Sequence, residues 1–180
     1  MTIFNDGIPL EAVLDLPEKQ SENTPLMILV HGFTGYKEEP HLNAMAEMMT
    51  GLGFAVLRPD LYGHGKSGGN FRDHTIWKWL SDITALIDYA RKDLPYREIW
   101  LCGHSQGGLA VMLAAAMHRD RIKGVVALAP ALTIPVKASI EYAGRFRDAE
   151  LAVIPGDSHC YDYHLDEAVA AVRDWLERKM

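Results

Sequence analysis

Five short, wholly apolar runs, at 26–30, 55–57, 99–102, 125–128 and 151–154, alternate with longer segments whose apolar residues recur at helical spacing. This alternation constrains the fold more than any other feature of the chain. The first run is Leu26-Met27-Ile28-Leu29-Val30, with no polar residue to mark a solvent face. A strand of that kind is buried on both sides, as in a parallel sheet held between helix layers. The intervening segments carry matching stripes. Leu42, Met45, Ala46 and Met49 share one helix face, and Ile76, Leu80, Ile83, Ile87 and Ala90 share a second. Leu109, Met112, Leu113 and Ala116 form a third, and Leu165, Ala168, Val169, Val172 and Leu176 the last. Strand and helix in alternation predict an α/β fold, a mostly parallel twisted sheet with helices on both faces. Two further strands are expected at 13–16 and 1–4, paired across the turn Asn5-Asp6-Gly7.

A chain of 180 residues is the length of one domain, expected over 1–180, and can bury a sizeable core. Its net charge of -6 argues against a nucleic-acid surface. No apolar run approaches the roughly 20 residues that span a bilayer, and the N-terminal MTIFNDGIPL lacks the basic and apolar regions of a secretory signal. The two cysteines, Cys102 and Cys160, do not make a disulfide framework, and Cys102 at the end of a buried strand reads as a small apolar filler. A reduced, cytoplasmic protein is the expectation. The histidines show no metal-site spacing, His-Glu-x-x-His is absent, and no cofactor or metal is implied.

In parallel sheets ligands bind at the carboxyl ends of the strands, and the residues able to do chemistry fall there. Gly103-His104-Ser105-Gln106-Gly107 lies between a strand and an alanine-rich helical stripe. This is the context in which Gly-x-Ser-x-Gly presents a nucleophile on a sharp turn, near the positive end of a helix. A small-residue turn or a phosphate-binding loop would use similar residues. Neither Gly-x-x-x-x-Gly-Lys-Ser/Thr nor Gly-x-Gly-x-x-Gly is found here, which argues against the second. Acyl transfer also needs N–H donors aimed at the developing oxyanion. Gln106, after the nucleophile, and Phe33, in the loop His31-Gly32-Phe33-Thr34-Gly35, are the expected donors, with His31 ordering that loop. The base that takes the serine proton is expected near the end of the last strand. His159, in Pro155-Gly156-Asp157-Ser158-His159, is the candidate, and His164 is its competitor.

His-Gly-Phe-Thr-Gly-Tyr-Lys-Glu-Glu at 31–39, Arg-Pro-Asp-Leu-Tyr-Gly-His-Gly-Lys-Ser at 58–67 and Gly-His-Ser-Gln-Gly-Gly at 103–108 together resemble the α/β-hydrolase superfamily, most of all its cinnamoyl/feruloyl esterase branch. The resemblance covers most of the chain. It implies a three-layer α/β-hydrolase-like fold and hydrolysis of small carboxylic esters, aryl or hydroxycinnamoyl ones among them. Ser105 would be the nucleophile, His159 the base, and Phe33 and Gln106 the oxyanion amides. Relatives usually carry a helical cap after the sixth strand, then a seventh strand ending in the aspartate that orients the histidine. Here 125–130 runs directly into Ala131-Leu132-Thr133-Ile134-Pro135, and Pro130 or Ala131 stands where that acid would be. The expectation is therefore a reduced fold, capless, with two strands merged into one. Asp157 and Asp162 are the candidate substitutes for the acid, a Ser105–His159 dyad is the alternative to a triad, and Asp148 and Glu150 are expected at the far end of the last strand. A missing cap would leave an open site and an exposed apolar patch, through which the chain could form a homo-oligomer. Two other readings stay open: another acyl hydrolase, such as a lipase or thioesterase, and a non-catalytic binding or scaffold protein.

Overall fold

The structure is a computed structural model and describes residues 1–131 and 150–180. Two strands open the chain, β1 (Thr2–Asn5) and β2 (Ile8–Asp15), paired antiparallel. Asp6 and Gly7 between them both have positive φ, 48° and 78°. Positive φ at both central residues marks the tight hairpin turn whose twist matches that of the strands it joins. The next four strands are β3 (Leu26–Val30), β4 (Ala55–Pro59), β5 (Ile99–His104) and β6 (Ile122–Leu128). All six form one sheet in the order β1-β2-β4-β3-β5-β6, antiparallel across β1, β2 and β4, and parallel from β4 to β6.

Each central strand divides its side chains between two cores, which is why the apolar runs show no alternation. Leu26, Ile28, Val30, Leu57 and Leu101 enter one cluster, and Met27, Leu29, Val56, Trp100 and Cys102 enter the other. The first is closed by α2 (Ile76–Asp93) and α3 (Gln106–Met117), through residues such as Trp79, Ile83 and Val111. The second is closed by α1 (Pro40–Gly51) and α4 (Leu165–Lys179), through Leu42, Met45, Met49, Val172 and Leu176. Local chemistry sets the helix ends. Pro40 is the first residue of α1, where its missing N–H costs nothing. The Thr75 hydroxyl accepts from the Lys78 N–H at the start of α2. In α4, Asp166 and Glu167 lie in the first turn and Arg178 and Lys179 in the last, both matched to the helix dipole.

From β3 the chain passes through α1 to β4 on one side, then through α2 to β5 on the other. The strand order thus reverses between β3 and β5, and the crevice at their carboxyl ends is where such sheets bind ligands.

The expected strand at 151–154 is not formed. Leu151 and Val153 are exposed, and only Ile154 packs against the second cluster. A run of four apolar residues does not by itself specify a strand, because burial and a ladder partner decide the matter. Glu150, expected at the far end of that strand, is paired with Arg178 of α4. The segment at 132–139, which follows the strand expected to merge two, and Asp148 lie outside the described residues. Among the described residues nothing stands above the strand ends as a cap, and no helix is long and apolar enough to cross a membrane.

Candidate active site

The geometry begins at Ser105, the residue between β5 and α3. Its φ of 54° and ψ of -119° are unusual for a residue with a Cβ, a strain of about 1–3 kcal/mol that surroundings must hold in place. Three backbone bonds do so. Its N–H donates to the Leu128 carbonyl at 2.9 Å, and its own carbonyl accepts from Ala131 at 2.8 Å and Leu109 at 3.2 Å. The two flanking glycines are needed because backbone replaces side chain there. A Cβ on Gly103 would stand 2.4 Å from the Gly107 carbonyl oxygen, and one on Gly107 would stand 2.2 Å from that of His31.

The loop after β3 is fixed from beneath. His31 is buried, donates from Nδ1 to the Gly32 carbonyl at 2.8 Å and accepts at Nε2 from the Leu61 N–H at 3.0 Å. Burial holds its pKa down to about 4, so the ring is neutral and one nitrogen is free to accept. Further along, Lys37 forms a buried ion pair with Asp60. Burial opposes the Asp60 charge, yet the Lys37 ammonium and the N–H groups of Lys66 and Lys37 outweigh it and hold that carboxyl below its ordinary range. Between these anchors Phe33 is half exposed, its ring 5.3 Å from Phe71 and 5.5 Å from His74. The Gln106 side chain donates to His74 Nε2 at 2.8 Å, so His74 joins the Phe33 side of the crevice to the elbow. Neither the Phe33 nor the Gln106 backbone N–H donates a hydrogen bond among the described residues.

His159 Nε2 lies 2.7 Å from Ser105 Oγ. With the hydroxyl donating, the ring carries its own proton on Nδ1, the tautomer that can take a second proton at Nε2. His164 is elsewhere, at the start of α4, with Nδ1 3.0 Å from Glu167. The two candidate acids do not meet His159 at Nδ1. Asp157 accepts from the N–H groups of Ser158 at 2.7 Å, Tyr163 at 3.0 Å and His164 at 3.2 Å. Desolvation opposes its charge, but those three donors together prevail and hold the carboxyl below its ordinary range. Asp162 accepts from the Ser158 hydroxyl at 2.6 Å. Both carboxylates shape the loop.

Sequence reasoning missed two residues, His104 and His74. His104 is buried at the end of β5 and donates from Nε2 to the His159 carbonyl at 2.8 Å. Its position immediately before the serine, on the strand face opposite Gly103, was the available signal. His74 carried none, since it lies in a polar stretch before α2. Among the described residues no group of three or more His, Cys, Asp or Glu side chains is placed to hold a metal ion.

A parallel sheet with a strained serine at its switch point, backed by a histidine from beyond the last strand, is the arrangement of the α/β-hydrolase superfamily. The chain matches the serine aminopeptidase S33 family over residues 21–155 and belongs to it. It is similar to the mitochondrial palmitoyl-protein thioesterase ABHD10 of Homo sapiens, 28% identical over 144 residues, covering 72% of this chain and 46% of that protein. It is also similar to the thermostable monoacylglycerol lipase of Bacillus sp. (strain H-257), 31% identical over 121 residues, covering 66% and 46%. The chain therefore spans about half the length of these curated relatives. Among solved structures it resembles Est1E from Butyrivibrio proteoclasticus with ferulic acid bound, with a TM-score of 0.94 and 36% identity, covering 99% of this chain and 98% of that one.

Proposed function

We propose that this protein hydrolyses carboxylic esters through an acyl-enzyme on Ser105. The observation that carries the reading is the 2.7 Å contact between His159 Nε2 and the hydroxyl of a serine held at positive φ. Ser105 Oγ attacks the ester carbonyl as its proton passes to His159 Nε2. The carbonyl oxygen gains negative charge and is met by the N–H groups of Phe33 and Gln106. Collapse expels the alcohol, which takes the proton from His159. Water then gives a proton to the same nitrogen while its oxygen attacks the acyl carbon, releasing the acid and restoring the serine. Among the described residues Asp157 and Asp162 spend their carboxylates on loop donors, which supports the Ser105–His159 pair as the working unit.

Small aryl or hydroxycinnamoyl esters are the proposed substrates. The likeness to the ferulic-acid-bound structure supports this, as do the half-exposed rings of Phe33 and Phe71 beside the elbow. The similarity to a thioesterase and to a monoacylglycerol lipase favours a second reading within the same chemistry, acyl hydrolysis of longer chains. Hydrolysis of p-nitrophenyl acetate by the native chain, Ser105→Ala and His159→Ala tests the mechanism, and methyl ferulate against p-nitrophenyl palmitate separates the substrates. Both variants are expected to lose more than about 10³-fold in kcat. A native rate no faster than that of Ser105→Ala would end the esterase reading and leave the crevice a binding site.

A further inference from the structure

The base stands on an exposed loop, and no carboxylate among the described residues reaches its Nδ1. Asp157 and Ser158 fix the internal shape of that loop, but they do not tie its main chain to the strand that carries the nucleophile. Among the described residues one side chain does. His104 is the residue immediately before Ser105, and its Nε2 lies 2.8 Å from the main-chain oxygen of His159. Nucleophile and base are thus joined by one peptide link and one imidazole.

We propose that His104 is the positioning residue of the base: its Nε2–H, donated to the His159 carbonyl, sets the His159 imidazole against the Ser105 hydroxyl. The inference rests on the esterase reading above and deepens it, since it says what ties the base to the strand that carries the nucleophile. The geometry allows the His104 ring only one productive tautomer. Its Nδ1 is buried without a partner and faces Gly32, 3.2 Å from where a Cβ on that glycine would sit. Moving the proton to Nδ1 would lose the bond to His159 and leave a buried N–H with no acceptor in hydrogen-bond reach. The ring is also fixed in place, with His41 packed edge-on at 4.3 Å and Tyr161 at 6.2 Å. Burial disfavours its charged form, which keeps the single-proton state.

The test compares the native chain with His104→Phe and His104→Gln in p-nitrophenyl acetate hydrolysis. Phenylalanine keeps a ring packed on His41 but has no N–H, whereas glutamine carries an amide N–H to nearly the same place. Loss of the tether is expected to lower kcat of His104→Phe by about 10- to 100-fold with KM held within about twofold, and His104→Gln is expected to recover most of it. A packing role alone predicts the opposite order, with phenylalanine active and glutamine impaired. Full kcat in His104→Phe overturns the inference. Because a substitution in β5 can also unfold the chain, the native protein with nitrogen-15-labelled imidazoles gives an independent reading by NMR. His104 is expected as the Nε2–H tautomer with a slowly exchanging proton, and the Nδ1–H tautomer overturns the inference. Its failure alone would leave Ser105-dependent turnover intact, whereas a native chain matching Ser105→Ala would remove the esterase reading itself.

Discussion

Ser105 is framed by backbone contacts between a buried strand and a packed helix, whereas His159, 2.7 Å away, stands on an exposed loop shaped by side-chain hydrogen bonds. The two regions differ in what can be changed separately. On the nucleophile side the same contacts hold the fold and aim the hydroxyl, so stability and chemistry fail together. On the base side the loop lies outside the main sheet contacts, and chemistry can be lost while the fold survives.

The largest break is expected from Gly107→Ala. The added Cβ would lie 2.2 Å from the His31 carbonyl oxygen, a backbone atom that cannot swing away. A cost above about 4 kcal/mol is expected in urea unfolding, with activity falling alongside the folded fraction. A variant that folds at native stability yet is inactive would break the coupling claimed for this side. Next is Lys37→Met, which leaves Asp60 buried and charged without its ammonium partner. Breaking a buried pair costs about 3–5 kcal/mol. The lower end is expected here, because the N–H groups of Lys37 and Lys66 still reach the carboxylate.

A comparable effect should appear with pH alone. His31, wholly buried beneath the Phe33 loop, has its pKa lowered from 6.5 to about 4. Its neutral form is the folded form. Between pH 6.5 and about 4 the unfolded chain takes up a proton that the folded chain refuses, so stability is complete above 6.5 and drains away as pH falls through that window. About 3 kcal/mol is expected from this one ring. His41, lowered to about 4 chiefly by burial and then by the nearby His104, adds in the same direction. Replacing His31 with Gln, which can still accept from Leu61, should flatten the acid limb of the unfolding profile. An unchanged limb would move the effect away from His31.

How much of this was legible in the sequence follows the same division. The apolar runs that became β3 to β6 and the stripes of α1, α2 and α4 are dictated by burial, which composition and period record directly. In α3 the expected stripe was the wrong one: Leu113 and Ala116 are exposed, and Ala110, Val111 and Ala114 face the core, because a helix apolar on nearly every side has no polar face to mark its orientation. Ser105 was legible because a strand-to-helix turn of this kind demands glycine on both sides, at Gly103 and Gly107. The base side was less so. The run at 151–154 has the composition of a strand without the neighbours that would make it one, and short-range pattern does not contain that information. Asp157 looked like a candidate acid because it precedes His159 by two residues. Which donors it meets depends on how the loop folds back from Tyr163 and His164, and no local spacing reports that. His104 was hidden by its neighbour, since the motif draws attention to the serine and treats the residue before it as free.

The smallest expected effect discriminates most sharply. Asp157→Asn keeps an oxygen to accept from Ser158 and Tyr163 but turns an N–H toward the backbone N–H of His164. If Asp157 only knots the loop, kcat for p-nitrophenyl acetate should fall about tenfold through a slightly displaced imidazole, with the unfolding midpoint unmoved. If instead it orients the imidazole as a third catalytic member, the loss should approach about 10⁴-fold. Asp162→Asn provides the scale, because Asp162 touches the loop only through Ser158 and should cost less. The three backbone donors hold the Asp157 carboxyl below its ordinary range, so the knot persists into more acid solution than an unperturbed aspartate would allow and then fails as the carboxyl protonates. A tenfold loss with a native melting curve would confirm that the base can be detuned without touching the fold. A matching loss of stability would mean that the loop belongs to the frame after all, and that the two sides of the site are held in the same way.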